Sequence, residues 1–63
     1  MMNEIVNNIK AMQLIERGAN EDYELYKDDA SGAMFEIDYD GDKITLIAEI
    51  DEDYEVIDVL YKA

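Results

Sequence analysis

"AMFEIDYDGDKITLIAEI", residues 33–50, sets two alternating apolar stretches on either side of an Asp-Gly pair. In the first stretch Ala33, Phe35, Ile37 and Tyr39 recur at every second residue, and in the second Ile44, Leu46, Ala48 and Ile50 do the same. A period of two is the mark of a strand with one buried face. Asp-Gly is a favoured pair for the two-residue turns that join such strands, because both central positions of a type I′ turn need positive φ. A turn centred on Asp40-Gly41 places Tyr39 opposite Asp42, Ile37 opposite Ile44 and Phe35 opposite Leu46. Every apolar pair then falls on one face, and a slip of one residue would turn one strand's set to solvent.

Working outward from this hairpin, residues 54–62 offer Ile57, Val59 and Tyr61 as a matching set. A loop at 51–54 brings Ala48 against Ile57, Leu46 against Val59 and Ile44 against Tyr61, whereas a tighter loop would turn Asp58 inward beside Leu46. Upstream, "DDASG" at 28–32 is turn material, and "YELYK" at 23–27 is a short, weakly patterned strand. Residues 3–17 read as a helix. Asn3 is placed to cap it, Ile5, Ile9 and Met12 recur at helical spacing, and Gly18 stops it with Arg17 in the last turn. Leu14 falls awkwardly near the polar side. The expectation is one α+β domain over residues 1–63, with an N-terminal helix packed on one face of a three- or four-stranded antiparallel β-meander. The helix covers Phe35, Ile37, Leu46 and Val59.

Composition narrows the function. The 63 residues contain no Cys, His or Pro, so neither a disulfide nor a thiolate or imidazole metal site braces the fold. A chain of this length buries roughly 60% of its unfolded surface, leaving a thin core and little room for a cleft. No leader-like segment or apolar run of spanning length is visible, and a cytoplasmic location is expected, the host cytoplasm if the protein is virus-encoded. Seventeen acids against five bases give a net charge of −12. That lies beyond the magnitude of about 2 to 8 that suits a small soluble domain, and it disfavours direct contact with nucleic acid or an anionic membrane.

Asp38, Asp40, Asp42 and Glu49 match positions of a calcium loop, but that loop needs Gly where Lys43 stands, and strand periodicity follows where a helix should. The pattern is therefore read as a turn, with no metal and no cofactor. With so many acids, some carboxylate pair will always meet the spacing used in sugar cleavage, so that match carries no weight. Neither Ser31 nor Thr45 has a base beside it, and a catalytic role is not expected.

The acids themselves are the functional signal. Residues 21–58 hold fifteen of the seventeen, against Lys27 and Lys43 alone, for a net −13. The expected partner-binding surface combines Glu36, Asp38, Glu49 and Asp58 on the sheet side away from the helix with Asp40, Asp42, Asp51, Glu52 and Asp53 at the loops. Ile47, Tyr54 and Leu60 are the expected apolar anchors among them, with Met34 and Val56 on the same side. Acids two apart on a strand are about 6.7 Å apart, and each strand of duplex DNA advances about 3.4 Å per phosphate. An ordered carboxylate array thus approaches the charge density of a nucleic-acid backbone, and its complement is a basic protein surface, foremost that of a nucleic-acid-binding enzyme. In size and charge alone the chain resembles virus-encoded inhibitors of nucleic-acid enzymes, among them anti-restriction, anti-CRISPR and uracil-glycosylase inhibitor proteins; no motif carries the resemblance. The alternative expectation is a regulatory protein-binding module or accessory subunit, with a homodimer admitted, in which apolar residues dominate and the acids tune solubility.

Overall fold

The computed structural model describes residues 2–63. The chain runs through a helix, α1 (Met2–Lys10), and five strands: β1 (Gln13–Arg17), β2 (Tyr23–Lys27), β3 (Met34–Asp40), β4 (Lys43–Ile50) and β5 (Val56–Lys62). The strands form one antiparallel meander in the order β1-β2-β3-β4-β5. The α+β class is as expected, with five strands rather than three or four.

The additional strand comes from the expected helix. α1 ends seven residues before Arg17, tightening as Met12 N donates to Ile9 O at 2.9 Å. Residues 13–17 instead pair with β2, through Leu14 opposite Tyr26 and Arg17 opposite Glu24. Without β1, the edge of β2 would be left unpaired beside the buried Leu25 and Tyr26. Leu14 no longer sits on a helix at all, and Asn3 lies inside α1 rather than at its cap. Gly18 marks the β1–β2 turn, where its N–H donates to Tyr23 O and its own carbonyl accepts from Glu21.

The central hairpin differs in register. Asp40 pairs with Lys43, so the two-residue loop is Gly41-Asp42. Gly41 has φ +61° and Asp42 has no positive φ, which is the type II′ pattern with Gly first, not type I′. Thr45 is then left as the extra residue of a bulge between the Tyr39–Ile44 and Asp38–Leu46 pairs. A bulge reverses the alternation beyond it. Ile37 therefore faces Ile47 rather than Ile44, and Phe35 faces Glu49 rather than Leu46. In β5, Leu60 and Ile57 are extra residues as well, so Ala48 faces Val59 and Ile47 faces Tyr61.

Because directly opposed residues share a face, the sheet has two buried sides. Toward the helix lie Tyr26, Ile37 and Ile47 with Ile9, supported by Ile5, Val6, Phe35, Tyr39, Ile44 and Tyr61. The far side carries Leu25, Met34 and Ile50, with Tyr23 packed against them. Leu46 and Val59, expected under the helix, belong to this far side through their pairs with Asp38 and Ala48.

Candidate interaction surface

The structure distributes the expected acidic surface over both faces and both ends of the sheet. Asp40 and Asp42 are exposed at the β3–β4 turn. Glu52 and Asp53 are exposed and Asp51 half-buried in the β4–β5 loop, at the opposite end of β4. Glu36 and Asp38 lie on the far face as expected. Glu49 and Asp58 do not: Glu49 pairs with both Phe35 and Asp58, which puts the two acids side by side on the helix face. The Thr45 bulge is the reason, since it flips everything after it in β4. The same flip buries Ile47 completely, at 0% exposure, so Ile47 is a core residue and not a contact. Met34, also expected outside, is buried in the far-side cluster. Tyr54 and Leu60 are 49% and 39% exposed and stand where a partner could reach them.

Two apolar sheet edges add to this surface. Val56, Ile57 and Val59 on the edge strand β5 are exposed, as are Leu14 and Ile15 on the other edge, β1. Val56 is exposed as expected and Leu14 lies at an edge, whereas the spacing of Ile57 and Val59 reads as core burial in the sequence, and only the topology shows that both strands end the sheet.

Several acids serve the fold. On the helix face Glu24 accepts the phenols of Tyr26 and Tyr39 at 2.9 and 2.7 Å and the Arg17 guanidinium at 3.0 Å. Burial alone would raise the Glu24 carboxyl, but hydrogen bonds from Tyr39, Tyr26 and Arg17 outweigh it and hold the group below its ordinary value. Both phenols are pushed up, first by burial and then by donating to Glu24. Lys10 stands 5.5 Å over the Tyr39 ring, a cation–π contact. Asp28 accepts Ala30 N and Ser31 Oγ to shape the β2–β3 loop. Asp51 accepts the N–H groups of Asp53 and Glu55 at 2.8 and 3.0 Å, closing the β4–β5 loop.

The far face holds a depression of about 210 Å³ lined by Glu16, Tyr23, Leu25, Glu36 and Tyr54. Leu25 is flanked by Glu16 on β1 and Glu36 on β3, its direct neighbours across the sheet. The Tyr23 hydroxyl donates to Glu16 at 2.5 Å, a contact that raises the phenol. Glu36 shares a hydrogen bond with Asp38, and together with burial this pushes its carboxyl up to about 7. Asp38 Oδ1 is enclosed and accepts no hydrogen bond. A larger hollow of about 410 Å³ on the other face is lined by Lys10, Arg17, Glu24 and Tyr39, which engage one another, and by Glu21, Gly41 and Asp42. Among the described residues no group of three or more acids is placed to hold a metal ion, and no helix is long and apolar enough to cross a membrane.

Comparison with family models, with curated proteins and with solved structures yields no match. The functional reading therefore rests on the charge and the surface.

Proposed function

We propose that this protein is a small acidic inhibitor that occupies the nucleic-acid-binding site of a host or defence enzyme, presenting carboxylates where the enzyme expects phosphates. The observation that carries this reading is the net −13 over residues 21–58, concentrated at both ends of the central hairpins. Asp40 and Asp42 stand at one end, and Asp51, Glu52, Asp53 and Glu55 at the other. The eight residues of β4 separate the two groups, about 27 Å at 3.4 Å per residue, or roughly eight phosphate steps along one DNA strand. Two anionic ends so spaced suit a basic groove long enough to hold most of a duplex turn. At the first end Lys43 pairs with Asp40, and Lys10 and Arg17 share a hollow with Asp42, so the acids at 51–55 form the more strongly anionic end. Inhibition would be by steric competition, with rapid, salt-sensitive association, and the protein itself would perform no chemistry.

The second reading, a regulatory protein-binding module without mimicry, is favoured by one observation. The edge strand β5 exposes Val56, Ile57, Val59 and Leu60 by 39–59%, and an apolar edge of this kind invites an added strand. Capture from host lysate at low and high salt, with mass-spectrometric identification, separates the two. Mimicry predicts a nucleic-acid enzyme that is released by salt and displaced by duplex DNA or RNA. A partner held at high salt and indifferent to both competitors would overturn mimicry in favour of the module.

A further inference from the structure

The far-face depression has a chemistry that the acidic ends lack. Its floor is Leu25, only 3% exposed. Tyr23 forms a wall, and Tyr54 reaches it from the β4–β5 loop. Glu16 and Glu36 occupy the register positions on either side of Leu25, about 9.6 Å apart across two strand spacings. At about 210 Å³ the space is below the roughly 300–1,000 Å³ of drug- or cofactor-sized sites, and it is on the scale of one side chain. Aromatic rings beside carboxylates favour a cation over an anion or a neutral group.

Among the described residues no cation lines the depression. The charged and titratable groups at the depression are Glu16, Tyr23, Glu36 and Tyr54, with Asp38 adjoining Glu36. The bases on this face, Lys27 opposite Met34 and Lys62 opposite Leu46, do not line it. Asp38 keeps an enclosed oxygen with no donor. Tyr54 also sits at φ +67°, a conformation that glycine adopts more readily, on a loop closed by the Asp51 carboxylate. A tyrosine held in this strained conformation points to a use for its ring.

We propose that this depression receives a single arginine side chain from the partner protein, its guanidinium lying against Tyr23 and Tyr54 and its N–H edges directed to Glu16 and Glu36. Arginine is chosen over lysine because a planar, weakly hydrated guanidinium stacks on aromatic rings and meets carboxylates with a rigid fork of donors, whereas an ammonium is a strongly hydrated point charge. Identifying the occupant as an arginine of a nucleic-acid-binding groove rests on the inhibitor reading above, while the chemistry of the depression does not.

The test is an amide-resolved NMR titration of the full chain with N-acetyl-arginine methylamide, alongside the lysine and the neutral citrulline analogues. Saturable shifts centred on Tyr23, Leu25, Glu36 and Tyr54 are expected, with apparent affinity for arginine about tenfold above citrulline, the ratio that one desolvated cation contact supplies, and clearly above lysine. Tyr54→Gly, which suits the loop backbone, should keep the dispersed spectrum and lose the response. Equal shifts with lysine, shifts spread over residues 40–42 and 51–53, or an unchanged response in Tyr54→Gly would each overturn the site. Saturable arginine binding by a chain whose captured partner ignores salt and DNA would support the site and sink mimicry; salt-released capture of a nucleic-acid enzyme without arginine binding would do the reverse.

Discussion

Tyr54 occupies a left-handed backbone position, φ +67°, in a loop where glycine is the ordinary choice. Left-handed geometry costs an L-residue about 1–2 kcal/mol, and the flexibility of glycine in the unfolded chain returns part of that. Comparing two truncations isolates the backbone term, because both remove the ring. Tyr54→Gly is expected to be more stable than Tyr54→Ala by about 1 kcal/mol in urea unfolding; equal stabilities would mean that the loop relaxes away from this conformation. Gly18 presents the opposite constraint. It is buried, and an added Cβ would press on Asp22 Oδ1 and lie 2.7 Å from the Tyr23 ring. Gly18→Ala is expected to cost about 1–3 kcal/mol, as overpacking does, and to disturb the Tyr23 wall of the far-face depression. An NMR spectrum with the Tyr23 amide unmoved and no loss of stability would contradict that packing.

At the scale of elements, the residues that mislead are those that satisfy two periods at once. Ile5, Ile9, Met12 and Ile15 continue a helical stripe across the point where α1 gives way to β1. Only the need to pair β2 decides between them, and that need is invisible before the sheet is assembled. β4 misleads differently. Ile44, Leu46, Ile47, Ala48 and Ile50 leave it apolar on both parities, so the Thr45 bulge can flip its faces without exposing a large hydrophobic residue. That is why β2 to β5 were legible from alternation and turn residues while their register was not, and why Tyr54 and Leu60 were found as surface and Ile47 was not. The depression was illegible too, because Glu16 was expected on a helix. A pair of substitutions tests the helix-to-strand switch. Ile9→Ala should cost about 2–4 kcal/mol as a core truncation, whereas Ile15→Lys, at an exposed edge position, should change stability by about 0.5 kcal/mol or less. A large loss at Ile15 would restore the longer helix.

For the whole molecule, the charge on which the proposed function rests also sets how stability depends on pH. Two groups give the dependence its sign. Glu36 is raised from 4.5 to about 7, chiefly by sharing a hydrogen bond with Asp38 and then by burial. The folded state therefore holds a proton that the unfolded state has released, and this contribution is complete below pH 4.5 and lost as pH rises through about 7. Glu24 is lowered, so its contribution is present above the ordinary 4.5 and lost as pH falls through its lower folded value. Together they place maximal stability near pH 4.5, with a decline toward pH 8. Self-repulsion at net −12 adds to the same decline, but salt separates the two causes. Repulsion between distant exposed charges is screened over about 10 Å at 0.1 M salt, while a half-buried pair in contact is screened far less. Glu36→Gln removes the proton-binding group while keeping a side chain that can donate to Asp38. Thermal melts from pH 4.5 to 8 should show the wild-type midpoint falling with pH, by less in 0.5 M salt. Glu36→Gln should fall less than wild type at either salt level, and it should be the more stable protein at pH 8. A wild-type decline that salt abolishes entirely, or a Glu36→Gln curve parallel to wild type, would mean that the Glu36–Asp38 pair holds no proton. The far face would then carry its full negative charge at neutral pH, strengthening its draw on a partner's cation and weakening the fold that presents it.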